Sequence, residues 1–136
     1  MDKSLNYLNK KKKLFIVDDD DFYINLLVEY FKKHKIVEVK AFSNIEDFSN
    51  ALNENPDYVL LDYYLTDNND EAESTGLDAL KAIKKECPDS VVIILSGQKK
   101  SDIVMKLIDE GAENYIIKDS NTFSALDDVF NDILFK

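Results

Sequence analysis

Four aspartates in succession, Asp18 to Asp21, follow the apolar run LFIV in KKLFIVDDDDFYINLL. Like charges crowded at a strand end cost stability, so some of them are expected to answer to a positive partner. Three other residues close apolar runs in the same manner. Asp62 ends DYVLLD, Ser96 follows SVVIIL, and Lys118 ends NYIIK. If those runs are strands of one parallel sheet, three carboxylates, a hydroxyl and an ammonium converge on one rim. Two carboxylates about 5 Å apart repel by roughly 3 kcal/mol at an effective dielectric near 20. Three together raise one another's pKa values unless a cation binds. One lysine cannot neutralise three acids, so a divalent ion is expected, with Asp18 and Asp19 holding it. Oxygen ligands favour Mg²⁺ or Mn²⁺ over zinc. Asp20 and Asp21 are expected at the start of a helix, where carboxylates meet unpaired backbone N–H groups. That all four acids serve the helix start is the plain structural alternative.

The elements that must position these residues alternate along the chain. LFIV (14–17) is a short apolar run of the kind buried on both faces of a sheet. DFYINLLVEYFKKHK follows with Ile24, Leu27, Val28 and Phe31 at helical spacing. IVEVKAF (36–42) reads as a second strand, and Ser43 opens a capping box with Glu46. That helix runs through Phe48 and Leu52 and stops by Pro56. DYVLLD (57–62) is the third strand, after which YYLTDNNDEAEST shows no apolar pattern. A helix is expected from Gly76, with Leu77, Leu80 and Ile83 on one face, closing before Pro88. SVVIIL (90–95) is the fourth strand. A helix holding Ile103, Val104, Leu107 and Ile108 ends at Gly111, a left-handed cap. NYIIK (114–118) is the fifth strand, and a last helix spans 121–134 through Phe123, Leu126, Val129, Phe130 and Ile133. Five strands alternating with five helices imply an α/β fold, a doubly wound parallel sheet covered on both faces. In such sheets, sites form beyond the carboxyl ends of the strands.

Composition narrows the function further. The 136 residues suffice for one core, and 45% apolar with 32% charged content is ordinary for a globular protein. No apolar run is long enough to span a bilayer, and no secretory signal is visible, so a cytoplasmic location with no membrane association is expected. Cys87 is the only cysteine, which excludes an intrachain disulfide and a cysteine metal cluster, and it is expected to pack before Pro88. The net charge of −10 is uneven: residues 1–13 hold five lysines against one aspartate, and the rest holds twelve lysines against 26 acids. The lysine-rich leader, residues 1–11, reads as a solvated segment before a domain spanning 12–136. The acidic body would repel nucleic acid, so no direct nucleic-acid binding is expected. Lone His34 reads as a surface residue suited to a helix end.

Taken together, FIVDDDDFYINLL, DYVLLDYYL, TGLDALKAIKK, VVIILSG and GAENYIIKDS resemble, in that order and spacing, the receiver domain of two-component response regulators. The resemblance runs from about Lys12 to the end. It implies the flavodoxin-like strand order 2-1-3-4-5. It implies that Asp62 is the phosphoacceptor, taking a phosphoryl group from a sensor histidine kinase or a histidine phosphotransfer protein. Mg²⁺ would be held by Asp18, Asp19, Asp62 and the backbone carbonyl of Tyr64. Lys118 and Ser96 would take the remaining phosphoryl oxygens, and Tyr115 would be the switch aromatic that turns inward with Ser96. Tyr115 packing an edge of the sheet, and Ser96 with Gly97 forming an ordinary turn, are the plainer readings.

Departures from the pattern lie near the acceptor. Leu65 and Thr66 stand where the family usually has methionine and proline, and DNNDEAEST (67–75) is an acidic insertion. A calcium loop from Asp67 would put Ala72 at the glycine position and Asp78 at the glutamate position, so a solvated loop is expected. Asp119 replaces the proline that commonly follows the lysine. Other readings are a degenerate receiver acting as an interaction module, an aspartate-nucleophile phosphatase, and flavin binding. The phosphatase needs an acid at Tyr64, and DDDDF would repel a flavin phosphate. The end of the chain leaves a free-standing regulator, a relay shuttle and a fragment equally open.

Overall fold

Leu14 and Ile16 bury themselves on one side of the first strand, Phe15 and Val17 on the other. That split organises the molecule, because every central strand repeats it. The structure is a computed structural model. It describes residues 11–33, 37–63, 70–97 and 101–134, excepting the side chains of 70–75, 101, 133 and 134. The elements run β1 (Lys12–Val17), α1 (Asp21–Phe31), β2 (Val37–Phe42), α2 (Ile45–Asn50), a 3₁₀ turn (Leu52–Glu54) and β3 (Tyr58–Asp62). Then come α3 (Asp70–Glu86), β4 (Val91–Ser96), α4 (Ser101–Asp109), β5 (Asn114–Ile117) and α5 (Thr122–Leu134). The strands form one parallel sheet in the order β2-β1-β3-β4-β5, with five helices around it.

Each face has its own core. Leu27 and Phe31 of α1 and Leu126 and Phe130 of α5 cover Leu14, Ile16, Leu60, Ile93 and Leu95. On the opposite face, Phe48, Leu80, Ile83 and Leu107 cover Phe15, Val17, Leu61, Val92 and Ile94. Burying apolar area on both faces is what makes these strands read as continuous apolar runs. Cys87 is buried, its Sγ 3.4 Å from the Leu52 carbonyl oxygen. Among the described residues no helix is long and apolar enough to cross a membrane. Residues 1–10 of the leader, and His34, lie outside the described residues.

Two local expectations need correction. α3 begins at Asp70, six positions before Gly76, so residues 70–75 of the expected loop are helical. DEAEST lacks an apolar stripe, but acidic residues near a helix start complement its dipole and glutamate and alanine favour helix. This helix also rules out a calcium loop from Asp67, which would have to run through 70–78. Gly76 is an interior helix position, and a Cβ there would lie 2.4 Å from the Tyr63 ring. The glycine therefore admits the ring that follows Asp62. The second helix is capped by Asn44, not Ser43: Asn44 Oδ1 accepts the Asp47 N–H at 2.8 Å. The cap lies one residue later than the capping box suggested, and the apolar side of that helix is unchanged. Gly111 does adopt the left-handed conformation, with φ of 113°.

Candidate functional site

Register puts the chemistry on one rim. Val17 pairs with Leu61, so Asp18 and Asp62 stand side by side on neighbouring strands. Asp62 pairs with Leu95 and Ser96 with Ile117, so Ser96 and Lys118 follow in successive steps across the sheet. The backbone ladder continues past the strand ends. Asp18 N–H donates to the Phe42 carbonyl at 3.0 Å, Tyr63 N–H to Leu95 at 2.8 Å, and Lys118 N–H to Ser96 at 2.8 Å. The site side chains thus hang from backbone that cannot drift.

Carboxylate oxygens of Asp18, Asp19 and Asp62 all lie within 4.8 Å of one another. Asp18 is buried and Asp19 exposed. Asp18 Oδ1 accepts the Asp20 N–H at 2.9 Å, and its Oδ2 accepts from Lys118 Nζ at 2.8 Å. The same ammonium reaches Asp62 Oδ1 at 2.8 Å, so one cation bridges two acids. Burial pushes the Asp62 carboxyl up to about 6; the Lys118 hydrogen bond opposes this, and the charges of Asp18 and Asp19 reinforce it. For Lys118, burial favours the neutral amine, but hydrogen bonds to Asp18 and Asp62 prevail and raise its pKa, keeping it charged.

The tetrad divides as its positions suggested. Asp20 is the N-cap of α1, its Oδ1 accepting the N–H groups of Phe22 at 3.0 Å and Tyr23 at 3.3 Å. Asp21 occupies the first turn. Asp18 and Asp19 remain for the rim. Ser96 is fully buried at the end of β4, and its side chain is in hydrogen-bond contact with the Tyr115 hydroxyl. Tyr115 is half-buried and packs against the core of the α3 face, so it both covers the sheet and touches Ser96. Burial raises its phenol pKa, partly countered by Ser96. Tyr64 lies outside the described residues, as does the carbonyl expected to serve a metal. No described peptide bond is cis. Asp119 turns the chain into α5 instead, its Oδ1 accepting the Asn121 N–H at 2.8 Å.

Sequence reasoning missed Tyr23. Its ring faces Lys118, with Nζ 4.4 Å from the centroid, and its hydroxyl contacts the Thr122 side chain. In sequence it is one more aromatic in α1, 95 positions before the lysine, and no local signal links the two.

The donor set fits a hard divalent cation. It is all carboxylate oxygen, and among the described residues it sets three acids against one ammonium; burial chiefly raises the Asp62 pKa, and the charges of Asp18 and Asp19 add to it. Such a rim can hold a cation and offer an anionic nucleophile beside a second positive charge.

A family model described as the response regulator receiver domain matches residues 14–129. A nitrate/nitrite response regulator protein homolog of Haemophilus influenzae is 29% identical over 125 residues, covering 90% of this chain and 57% of that one. The photosynthetic apparatus regulatory protein RegA of Cereibacter sphaeroides is 27% identical over 111 residues, covering 82% and 57%. The chain therefore spans little more than half the length of these curated relatives. Among solved structures, the BeF3-activated receiver domain of DrrB, a Thermotoga maritima response regulator, aligns with a TM-score of 0.74 at 28% identity, covering 90% of this chain and 97% of that one. A CheY-like receiver domain protein of Methanospirillum hungatei aligns at 0.76 with 22% identity, covering 91% and 94%, a likeness of fold.

Proposed function

The chain belongs to the response regulator receiver domain family, and from that premise we propose that Asp62 is its phosphoacceptor. The donor is a phosphohistidine on a sensor histidine kinase or a histidine phosphotransfer protein, and a cytoplasmic location fits such a donor. An Asp62 carboxylate oxygen forms a bond to phosphorus, the P–N bond breaks, and the imidazole leaves with an acyl phosphate left behind. With a pKa of about 6, Asp62 is largely ionised near neutral pH and ready to attack. The domain accepts and releases one phosphoryl group per cycle, a signalling step more than a turnover reaction.

Phosphoryl transfer asks the protein mainly for positioning and charge neutralisation. Asp18, Asp19, Asp62 and the Tyr64 carbonyl would hold Mg²⁺, or Mn²⁺ in its place, which supplies positive charge to the phosphoryl oxygens. Lys118, already at Asp62, exchanges a carboxylate for a phosphoryl oxygen. Ser96 donates its hydroxyl proton to another, leaving its oxygen to accept from Tyr115. A chain from Tyr115 through Ser96 to the phosphoryl group then biases the Tyr115 conformation, which is the switch.

The observation that carries this reading is the shared ammonium: Asp18 and Asp62 compete for one lysine while Asp19, beside them, has no ion pair among the described residues. Beryllofluoride, a phosphoryl mimic, tests it. With Mg²⁺ it should raise the melting temperature of wild type and leave Asp62→Asn unmoved; an equal rise in both would refute the assignment.

A further inference from the structure

We infer that Tyr23 is a positioning residue for Lys118, its ring face steering the ammonium between the acids and an incoming phosphoryl group. The inference rests on the phosphoacceptor reading of Asp62 and concerns how the lysine is managed.

Lys118 Nζ sits 4.4 Å from the centroid of the Tyr23 ring while it contacts Asp18 and Asp62. The ring is held at both ends. Its backbone N–H donates to the Asp20 cap at 3.3 Å, and its hydroxyl contacts Thr122. Thr122 is buried and itself fixed, accepting the Asp119 N–H at 2.8 Å and lying 2.9 Å from the Ile117 carbonyl. The loop that carries Lys118 and the aromatic that faces it are therefore tied together.

A lysine side chain is a flexible stem bearing a point charge. Here it must bridge two carboxylates at rest and then turn to a phosphoryl oxygen. An anionic guide would trap it, whereas a π face attracts the charge without a directed hydrogen bond and lets it swing. The ring keeps the ammonium near the rim and free to change partners.

Titration of Mg²⁺ alone, and of beryllofluoride at saturating Mg²⁺, into wild type, Tyr23→Phe and Tyr23→Leu tests this. Tyr23→Leu should bind beryllofluoride roughly five- to tenfold more weakly. Tyr23→Phe, which keeps the π face, should stay within about twofold of wild type. Mg²⁺ affinity should not fall in either variant, because the carboxylates are untouched. Undiminished beryllofluoride binding in Tyr23→Leu overturns the inference. So does equal loss in Tyr23→Phe, which would assign the effect to the hydroxyl, or a parallel loss of Mg²⁺ binding, which would mean a collapsed site. Wild type that takes up no beryllofluoride defeats the phosphoacceptor reading itself.

Discussion

The two rims of the sheet handle charge in opposite ways. At the amino rim, charged side chains pair with one another or with strand-end backbone. Lys84 Nζ meets Glu113 Oε1 at 2.8 Å and the Ser90 carbonyl at 2.7 Å, while Glu113 Oε2 accepts the Val92 N–H at 2.7 Å. Asp57 accepts the Lys13 N–H at 2.8 Å, and Lys13 Nζ reaches the Glu54 carbonyl at 3.2 Å. These groups close the ends of strands and satisfy backbone. At the carboxyl rim, Asp18 and Asp62 share one ammonium while Asp19 adds a third carboxylate beside them. Matched charge serves the fold; a surplus that the fold does not need is the mark of a site.

Mutations should separate the two. The largest effect belongs to Asp62→Asn, which should reduce phosphorylation by a small-molecule phosphodonor to background while leaving the folded state intact, read by intact mass and circular dichroism. Glu113→Ala should do the reverse. It strands the Val92 N–H and should cost about 1–3 kcal/mol of stability in denaturant unfolding, with beryllofluoride affinity unchanged. Loss of binding in that variant would blur the division between the rims.

A pH series sharpens the comparison. Folded Asp62 holds its proton up to about pH 6, against 3.8 as its ordinary value. The native state therefore binds more protons than the unfolded chain between those pH values, and stability without metal rises as pH falls through that window. On the order of 2 kcal/mol should separate its ends. The gain should appear in wild type relative to Asp62→Asn, and saturating Mg²⁺ should suppress it by stabilising the ionised carboxylate. The smallest contrast lies inside the tetrad. Asp20→Ala should cost about 1 kcal/mol as a lost N-cap, with Mg²⁺ affinity nearly intact, whereas Asp19→Ala should weaken Mg²⁺ binding at little cost in stability.

Much of this was legible in the chain because buried parallel strands are apolar throughout and so announce where they end. Asp18, Asp62, Ser96 and Lys118 each stand at such an end, and alternation with helices supplied the parallel sheet. The strand order came from resemblance, since periodicity says nothing about which strand lies beside which. The start of α3 was hidden because the sequence of its first six residues, DEAEST, carries no apolar stripe. Asn44 and Ser43 are both competent caps, and backbone geometry chose between them. Tyr23 was out of reach for a different reason: a cation–π contact has no sequence spacing, and its partner arrives from the far side of the sheet order.

The most direct test of the surplus-charge account is to locate the phosphoryl group. Wild type incubated with acetyl phosphate and Mg²⁺ should gain one phosphoryl mass, labile to hydroxylamine as an acyl phosphate is, mapped by peptide analysis to Asp62 and absent when the metal is chelated. A phosphoryl group found on another residue, or one that forms equally well without a divalent cation, would contradict it.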